Sequence, residues 1–399
     1  MSSDGLSSRL CTLNVLMAVF DGRKPLDESL DKFARKYNLS DQDKSFVHAL
    51  CGFVLRYKDA LQNQIDAHAH KTPPSAVNII LLIGVAQIKL MNSVPDHAAV
   101  DTCVDLCKKV KCDAQKGMVN AVLRNIIRGG EVDLKPLLPR WVVDTWVKDY
   151  GEDIARQIEK ASLEEAKIGV SNKKGHWSIL PSLRKQGSDD RDPRLRGESN
   201  ITLSPDEWVQ DYSSAKPVSL LGNIQGKSVL DLCAAPGGKT MQLAAKGAKV
   251  TAVDVSAKRL QRLNDNLDRT GLADQVEVIC ADLLKWTPDR TYDIVLLDAP
   301  CSATGTIRRH PDLPYIRTAK DIKTLVSLQQ KLLNRAKGWV DQDGVFVYCS
   351  CSLQKAEGEE QAAAFLDQNP DMHRIHQDIR LMPQDGDRDG FFIARFAWR

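Results

Sequence analysis

An acid and a thiol three residues apart, Asp298 and Cys301, sit in the octet Asp298-Ala-Pro-Cys-Ser-Ala-Thr-Gly305, directly after the apolar run Tyr292-Asp-Ile-Val-Leu-Leu297. The run reads as a buried parallel strand, so the octet falls at its C-terminal end, where open α/β sheets place their chemistry. Pro300 and Gly305 make the loop stiff and non-helical, which holds a carboxylate and a sulfur toward one ligand. A strand end with an ordinary Asp cap and a buried Cys is the plainer account, and the octet alone does not separate the two. A second thiol-bearing stretch, Tyr348-Cys-Ser-Cys-Ser352, closes a later apolar run.

A third stretch, Asp231-Leu-Cys-Ala-Ala-Pro-Gly-Gly-Lys-Thr240, is a Gly-rich turn between a strand and a helix. Its glycines let the backbone approach a ligand, and the helix N-terminus favours negative charge. It is not a Walker loop, because Cys233 stands where that pattern needs its first Gly, and it does not fit G-x-G-x-x-G. Asp254 closes the next strand, where nucleoside-binding α/β folds place an acid on ribose hydroxyls. Asp282 follows the third strand, placed to accept from an adenine amino group or to order its loop. Acids at three such positions favour a nucleoside cofactor site.

The elements that must carry these residues fall into two patterns. From Lys227 onward strands alternate with helices, predicting a parallel sheet covered on both faces. The strands are Ser228–Leu232, Lys249–Val253, Val276–Ile279, Ile294–Leu297 and Gly344–Tyr348, with helices over Ala257–Thr270 and Asp321–Val340. Gly390–Phe396 reads as a final strand, antiparallel to the rest. Before this, helical periodicity recurs without strands: a first helix capped by Ser7 or Ser8 and ended by Gly22, then Leu26–Tyr37, Ser40–Asn63, Ala76–Met91, His97–Val110 and Ala114–Arg128. The expected domains are an all-α unit over residues 1–130, a connector and small α/β subdomain over 131–203, and the α/β domain over 204–399. In the connector, Trp141 and Trp146 offer apolar anchors. Turn-rich, charged sequence predicts loops around residues 171–200, with short strands at Trp177–Leu180 and Ile201–Leu203.

A chain of 399 residues with 43% hydrophobic content builds sizeable cores, and a formal charge of +3 makes any nucleic-acid surface a local patch. Residues 1–130 hold 17 Lys and Arg against 13 Asp and Glu. The surplus gathers at Lys108, Lys109, Lys111, Lys116, Arg124 and Arg128, either a solvated helix face or an RNA contact. Lys173, Lys174, Arg184, Lys185, Arg191, Arg194 and Arg196 form a second basic group. The 10 cysteines show no paired C-x-x-C motif and fit reduced thiols; Cys103, Cys107 and Cys112 read as core residues, and no metal site is expected. No signal pattern or membrane span is apparent, so a cytoplasmic protein is expected.

Together the three chemical stretches, with Arg308-Arg-His-Pro-Asp312, closely resemble the RNA cytosine-5 methyltransferases of the Sun/Fmu (RsmB) type over about residues 204–399. Gln42-Asp-Lys44, Val94-Pro95 and Lys116-Gly-Met-Val-Asn-Ala-Val-Leu-Arg124 resemble the NusB-like RNA-binding domain that these enzymes carry in front. The resemblance implies a Rossmann-like class I S-adenosylmethionine-dependent methyltransferase domain preceded by an all-α NusB-like domain. It also implies methylation of cytosine C5 in 16S ribosomal RNA, free or in a small-subunit particle, by a monomer. A tRNA substrate, or a non-catalytic RNA-binding or ribosome assembly factor, is the alternative; retention of Asp298, Cys301 and Cys351 together speaks against the latter.

Carried over residue by residue, the resemblance gives Cys233, Ala234, Ala235, Pro236, Gly237, Gly238 and Lys239 the methionine part of the cofactor, Asp254 the ribose and Asp282 the adenine. Asp298 stands beside the target base. Cys351 matches the nucleophile and Cys301 the thiol that assists product release, while Arg308, Arg309 and His310 would bind RNA phosphate. In DNA cytosine-5 methyltransferases the Pro-Cys thiol is the nucleophile, which makes Cys301 the rival. Cys349 is assigned a structural role. A thiol is mostly protonated at neutral pH, so Cys351 should lie near positive charge, with Lys239 and a helix beginning near Ala356 as candidates. Two departures stand out: Lys167-Ile-Gly-Val-Ser-Asn172 lacks the Arg of the family's Arg-Val-Asn segment, and Ser350 replaces the usual Thr.

Overall fold

The computed structural model describes residues 3–69, 71–130, 132–180 and 203–399, which form two compact units. One is helical and comprises residues up to Pro139 together with His310–Arg317. Its helices are α1 (Ser3–Phe20), α2 (Leu26–Lys36), α3 (Asp41–Asp66), α4 (Ser75–Leu90), α5 (Asp96–Lys109), α6 (Lys116–Arg128) and the one-turn α12 (Leu313–Ile316). Prolines 25, 74 and 95 precede α2, α4 and α5, where a fixed φ suits a helix start, and the Ser40 hydroxyl accepts from the Asp43 amide at the head of α3. α4 is apolar all round and buried from Ile79 to Gln87, which makes it the central helix of the unit. At Gly84 an added Cβ would lie 2.8 Å from Leu123 and 3.0 Å from the Cys103 sulfur, so glycine lets α4 approach its neighbours. α1 starts earlier than expected: Ser7 and Ser8 lie inside it, and Ser8 donates to Asp43 at 2.8 Å instead of capping. Residues of the 310–317 segment pack here too, Asp312 accepting from the Leu26 amide at 2.9 Å and Tyr315 donating to the Leu55 carbonyl at 2.9 Å.

The second unit begins at Arg140 with α7 (Arg140–Tyr150) and α8 (Glu152–Leu163), and Trp146 is fully buried. A small antiparallel sheet follows, in the order β2 (Trp177–Ile179), β1 (Gly169–Asn172), β3 (Glu207–Val209). β1 straddles the start of the stretch expected as loop, β3 falls where no element was expected, and Leu203 is not in a strand. Residues 201 and 202, and the basic group at Arg184, Lys185, Arg191, Arg194 and Arg196, lie outside the described residues. Lys173 is paired with Asp206 at 2.9 Å.

After α9 (Tyr212–Ser219) come β4 (Ser228–Leu232), α10 (Gly238–Ala245), β5 (Lys249–Asp254), α11 (Ala257–Thr270), β6 (Val276–Cys280), β7 (Tyr292–Asp298), α13 (Ala319–Lys337), β8 (Val340–Ser350), α14 (Glu359–Gln368), β9 (Met372–Arg374), β10 (Ile379–Leu381) and β11 (Phe391–Trp398). They build one sheet in the order β10-β11-β8-β7-β4-β5-β6, with β9 also on β11. β4 through β8 are mutually parallel, and β11 runs antiparallel to β8 as expected. Alternation divides the strands between two cores: Val229, Ala252, Ile294, Leu296 and Val347 face one side, Leu230, Leu232, Val295, Leu297 and Phe346 the other. Strand order reverses between β4 and β7, so the loops leaving these strands border the crevice where α/β sheets bind ligands. Both chemical loops recognised in the sequence leave the sheet at this point. Among the described residues no helix is long and apolar enough to cross a membrane, and no cluster of metal-ligating side chains occurs.

Candidate active site

The β4 loop turns sharply through Cys233 and Gly237, both in the left-handed region at φ 60° and 106°. A Cβ at Gly237 would sit 2.9 Å from Leu263 of α11, so only glycine fits this passage into α10. Asp254, at the end of β5, accepts from the Ala235 amide at 3.2 Å and the Ser256 amide at 2.9 Å, which fixes the loop and leaves acceptor capacity on the carboxylate. Next to it Val255 is 70% exposed, an apolar surface beside an acid. Asp231 is buried, accepts from the Thr240 hydroxyl at 2.7 Å through one oxygen, and leaves the other without a hydrogen-bond partner. Burial pushes its pKa up to about 7. An orphaned buried carboxylate oxygen suits an ammonium group, and an acid beside an apolar face suits a nucleoside. The site therefore fits S-adenosylmethionine, for which Asp231 and the 233–239 turn could hold the amino-acid part and Asp254 and Val255 the nucleoside. Asp282 accepts from the Leu284 amide at 3.0 Å and orders its own turn, its side chain 42% exposed.

Lys239 lies at the start of α10 with its ammonium 2.7 Å from Asp298 and 3.2 Å from the Ser214 hydroxyl. Burial works most strongly against its charge, but Asp298, Cys349 and Asp231 together outweigh burial and leave the Lys239 pKa above its ordinary value. Lys239 is thereby committed to Asp298 and does not serve as the cation for Cys351. The second Asp298 oxygen faces the Cys349 thiol at 3.5 Å, and Cys349 is fully buried, in keeping with a structural part.

The two remaining thiols meet. Cys301 Sγ and Cys351 Sγ are 3.4 Å apart, one from the loop after β7 and the other just past β8. Adjacent parallel strands bring them together: Asp298 is in register with Cys349, and Ala299 donates to the Cys349 carbonyl at 2.9 Å. Gly305 donates to the Cys351 carbonyl at 2.9 Å and accepts from the Gly390 amide at 2.8 Å, a crossing of three backbones that admits no side chain at Gly305. Cys301 is buried, and its pKa is held well above the ordinary value, first by its hydrogen bond to Cys351 and then by burial. Either sulfur can donate in this contact. Cys351 is the more exposed thiol.

Behind them Glu357, fully buried, accepts from the Ser302 amide at 2.9 Å and the Ser352 hydroxyl at 2.6 Å. Nothing in the spacing of the sequence singled out Glu357 or Asp211. Arg308 and Arg309, expected to meet RNA phosphate, also have internal partners. Arg309 bridges Asp211 and Asp389, each at 2.8 Å, and Arg308 is buried, donating to the Arg388 carbonyl at 3.0 Å beside Asp387 and Asp389. Both guanidinium groups lie among internal carboxylates. His310 is half exposed, 4.0 Å from Asp27.

A doubly wound sheet with a Gly-turn and acid-tipped strands at its switch point defines a class I S-adenosylmethionine-dependent methyltransferase. Residues 218–397 match the family described as 16S rRNA methyltransferase RsmB/F, and residues 6–128 match the NusB family. The ribosomal RNA small subunit methyltransferase B of Proteus mirabilis is 33% identical over 387 residues, covering 90% of this chain and 91% of that protein. Among solved structures, PH0851 aligns with a TM-score of 0.75 at 21% identity over 100% of this chain and 99% of its own. NSun6 from Pyrococcus horikoshii with SFG aligns at 0.56 and 18% identity over 65% of this chain and 98% of its own. The chain belongs to the RsmB/F family of 16S rRNA methyltransferases, with a NusB domain in front.

Proposed function

We propose that this chain methylates C5 of a cytosine in 16S ribosomal RNA through a covalent adduct between Cys351 and C6 of the base. The observation that carries the reading is the pair of thiols 3.4 Å apart beside Asp298. Cytosine C5 is a poor nucleophile until a thiolate adds at C6. Cys351, the more exposed member, makes that addition as a thiolate, while Asp298 in its acid form gives its proton to N3 of the base and so takes up the charge that develops there. S-adenosylmethionine, when bound, supplies the electrophilic methyl that C5 takes. A base then removes the C5 proton, the C5–C6 double bond re-forms, N3 returns its proton to Asp298, and Cys351 leaves as the thiolate it began as, so the net change is one methyl gained and one proton released.

Cys301 is the group for the release step. Its hydrogen bond to Cys351 is what raises its pKa most. Once the Cys351 sulfur is a thioether, it no longer carries charge beside Cys301, and Cys301 gives up its proton more readily. Cys301 or a water it orients then takes the C5 proton.

The helical unit supports an RNA substrate: Lys108, Lys109, Lys111, Lys116, Arg124 and Arg128 are all exposed along α5, α6 and the turn between them. Bisulfite sequencing of ribosomal RNA tests the reading. One 5-methylcytosine in 16S rRNA should vanish when the chain is deleted and return with the wild type but not with Cys351→Ala. An unchanged methylation pattern would refute it.

A further inference from the structure

We propose that Glu357 is a positioning residue that sets the spacing of the two reacting thiols, an inference that rests on the catalytic reading of Cys351 and Cys301. Its carboxylate is fully buried and takes four donors. Oε1 accepts from the Ser302 amide at 2.9 Å and from Gln329 Nε2 at 3.0 Å. Oε2 accepts from the Ser352 hydroxyl at 2.6 Å and from the Ser302 hydroxyl. Four donors fill the acceptor capacity of a carboxylate.

The donors are the immediate neighbours of the reacting sulfurs. Ser302 follows Cys301 and Ser352 follows Cys351. On the other side of Cys301, Pro300 accepts from Gln329 Nε2 at 2.9 Å, so Gln329 on α13 links that residue to the same carboxylate. On the approach to Cys351, the Tyr348 and Ser350 hydroxyls donate to the Glu357 backbone carbonyl at 2.8 and 3.0 Å. Both thiol-bearing segments are therefore fastened, before and after the sulfur, to one residue.

A carboxylate accepts from all four at once. Glutamine keeps the shape but turns two of the four acceptor sites into donors that face the two serine hydroxyls. Alanine leaves all four donors without their partner. Buried hydrogen bonds to a charged acceptor are the strong ones, which suits a group that fixes two loops to a fraction of an ångström.

The test reads spacing and catalysis separately, in the full-length chain. Phenylarsine oxide bridges two thiols only when they are close, and the part of its capture lost in Cys351→Ala measures the Cys301–Cys351 pair. Misplacing reacting groups by an ångström costs on the order of a hundredfold. On that scale Glu357→Ala should lose about a hundredfold in kcat, and the near-isosteric Glu357→Gln about tenfold. Arsenical capture should slow in the same order, while KM for S-adenosylmethionine stays within about twofold because the cofactor loop is untouched. If the alanine variant does not fold, the glutamine variant decides alone. Lost kcat with undiminished capture, or cofactor affinity falling in step with kcat, would overturn the proposal. So would wild-type kcat and capture in the glutamine variant. Intact capture in a protein whose Cys301→Ala form traps no RNA would instead remove the catalytic reading on which the proposal stands.

Discussion

Replacing Asp231 by asparagine should abolish a loss of stability that the free protein suffers on going from mildly acidic to mildly basic pH. Asp231 is 1% exposed, and burial raises its pKa from the ordinary 3.8 to about 7 despite the hydrogen bond from Thr240. The folded state thus holds a proton that the unfolded chain has already released. At ~1.4 kcal/mol for each tenfold change, keeping the ionised carboxylate folded costs about 4 kcal/mol. Because the folded pKa is raised, stability is greatest below the unfolded value and declines as pH climbs through the folded one. Between about pH 6 and about pH 8 the folded carboxyl is on average half protonated and the unfolded one fully ionised, which gives a decline of about 1.4 kcal/mol over that interval. Hydrogen exchange of the β4 and β5 amides in dilute urea, with the intrinsic pH dependence of exchange divided out, measures it. Wild type should lose that amount relative to Asp231→Asn. Equal pH dependence in the two proteins would refute the idea that a buried, half-partnered carboxyl is being forced to ionise.

Two further outcomes follow from the same geometry. Gly305→Ala places a methyl against the Gly390 carbonyl and 2.8 Å from the Cys351 carbonyl, so the thiol loops must part; kcat should fall on the order of a hundredfold while cofactor affinity, measured by calorimetry, is kept. Arg309→Ala leaves Asp211 and Asp389 buried without their shared cation and should cost about 3–5 kcal/mol in urea unfolding. A stable Arg309→Ala protein with weakened RNA binding would return this residue to the phosphate.

Elements with their own periodicity were legible from sequence. α11 appears over the residues expected, and β4 to β8 appear where apolar runs alternate with helical stretches, because burial on both sheet faces writes a continuous apolar signature. β1, β3, β9 and β10 were not, since three or four residues pairing at an edge carry too little pattern to stand out. The site divides in the same way. Asp298, Cys301 and Cys351 were readable because each lies at the end of a recognisable strand, and strand adjacency then brought the two thiols together. The internal partners of Arg308 and Arg309 were not readable, because a run of cations looks alike whether it meets phosphate or carboxylate, and the carboxylates that pair with Arg309 lie 80 and 98 residues away at Asp389 and Asp211. Glu357 was silent for the same reason: Ser302 is 55 residues distant and Gln329 is 28. Ion pairs and buried hubs of this kind are properties of the fold, not of local sequence.

The division of labour between the two thiols is open to one direct measurement. Each single alanine variant is incubated with S-adenosylmethionine and 16S rRNA, and RNA-linked protein is resolved on a denaturing gel. Cys301→Ala should accumulate the adduct, because addition at C6 proceeds and release does not, and Cys351→Ala should form none. Adduct in Cys351→Ala and not in Cys301→Ala would contradict the assignment and make Cys301 the nucleophile.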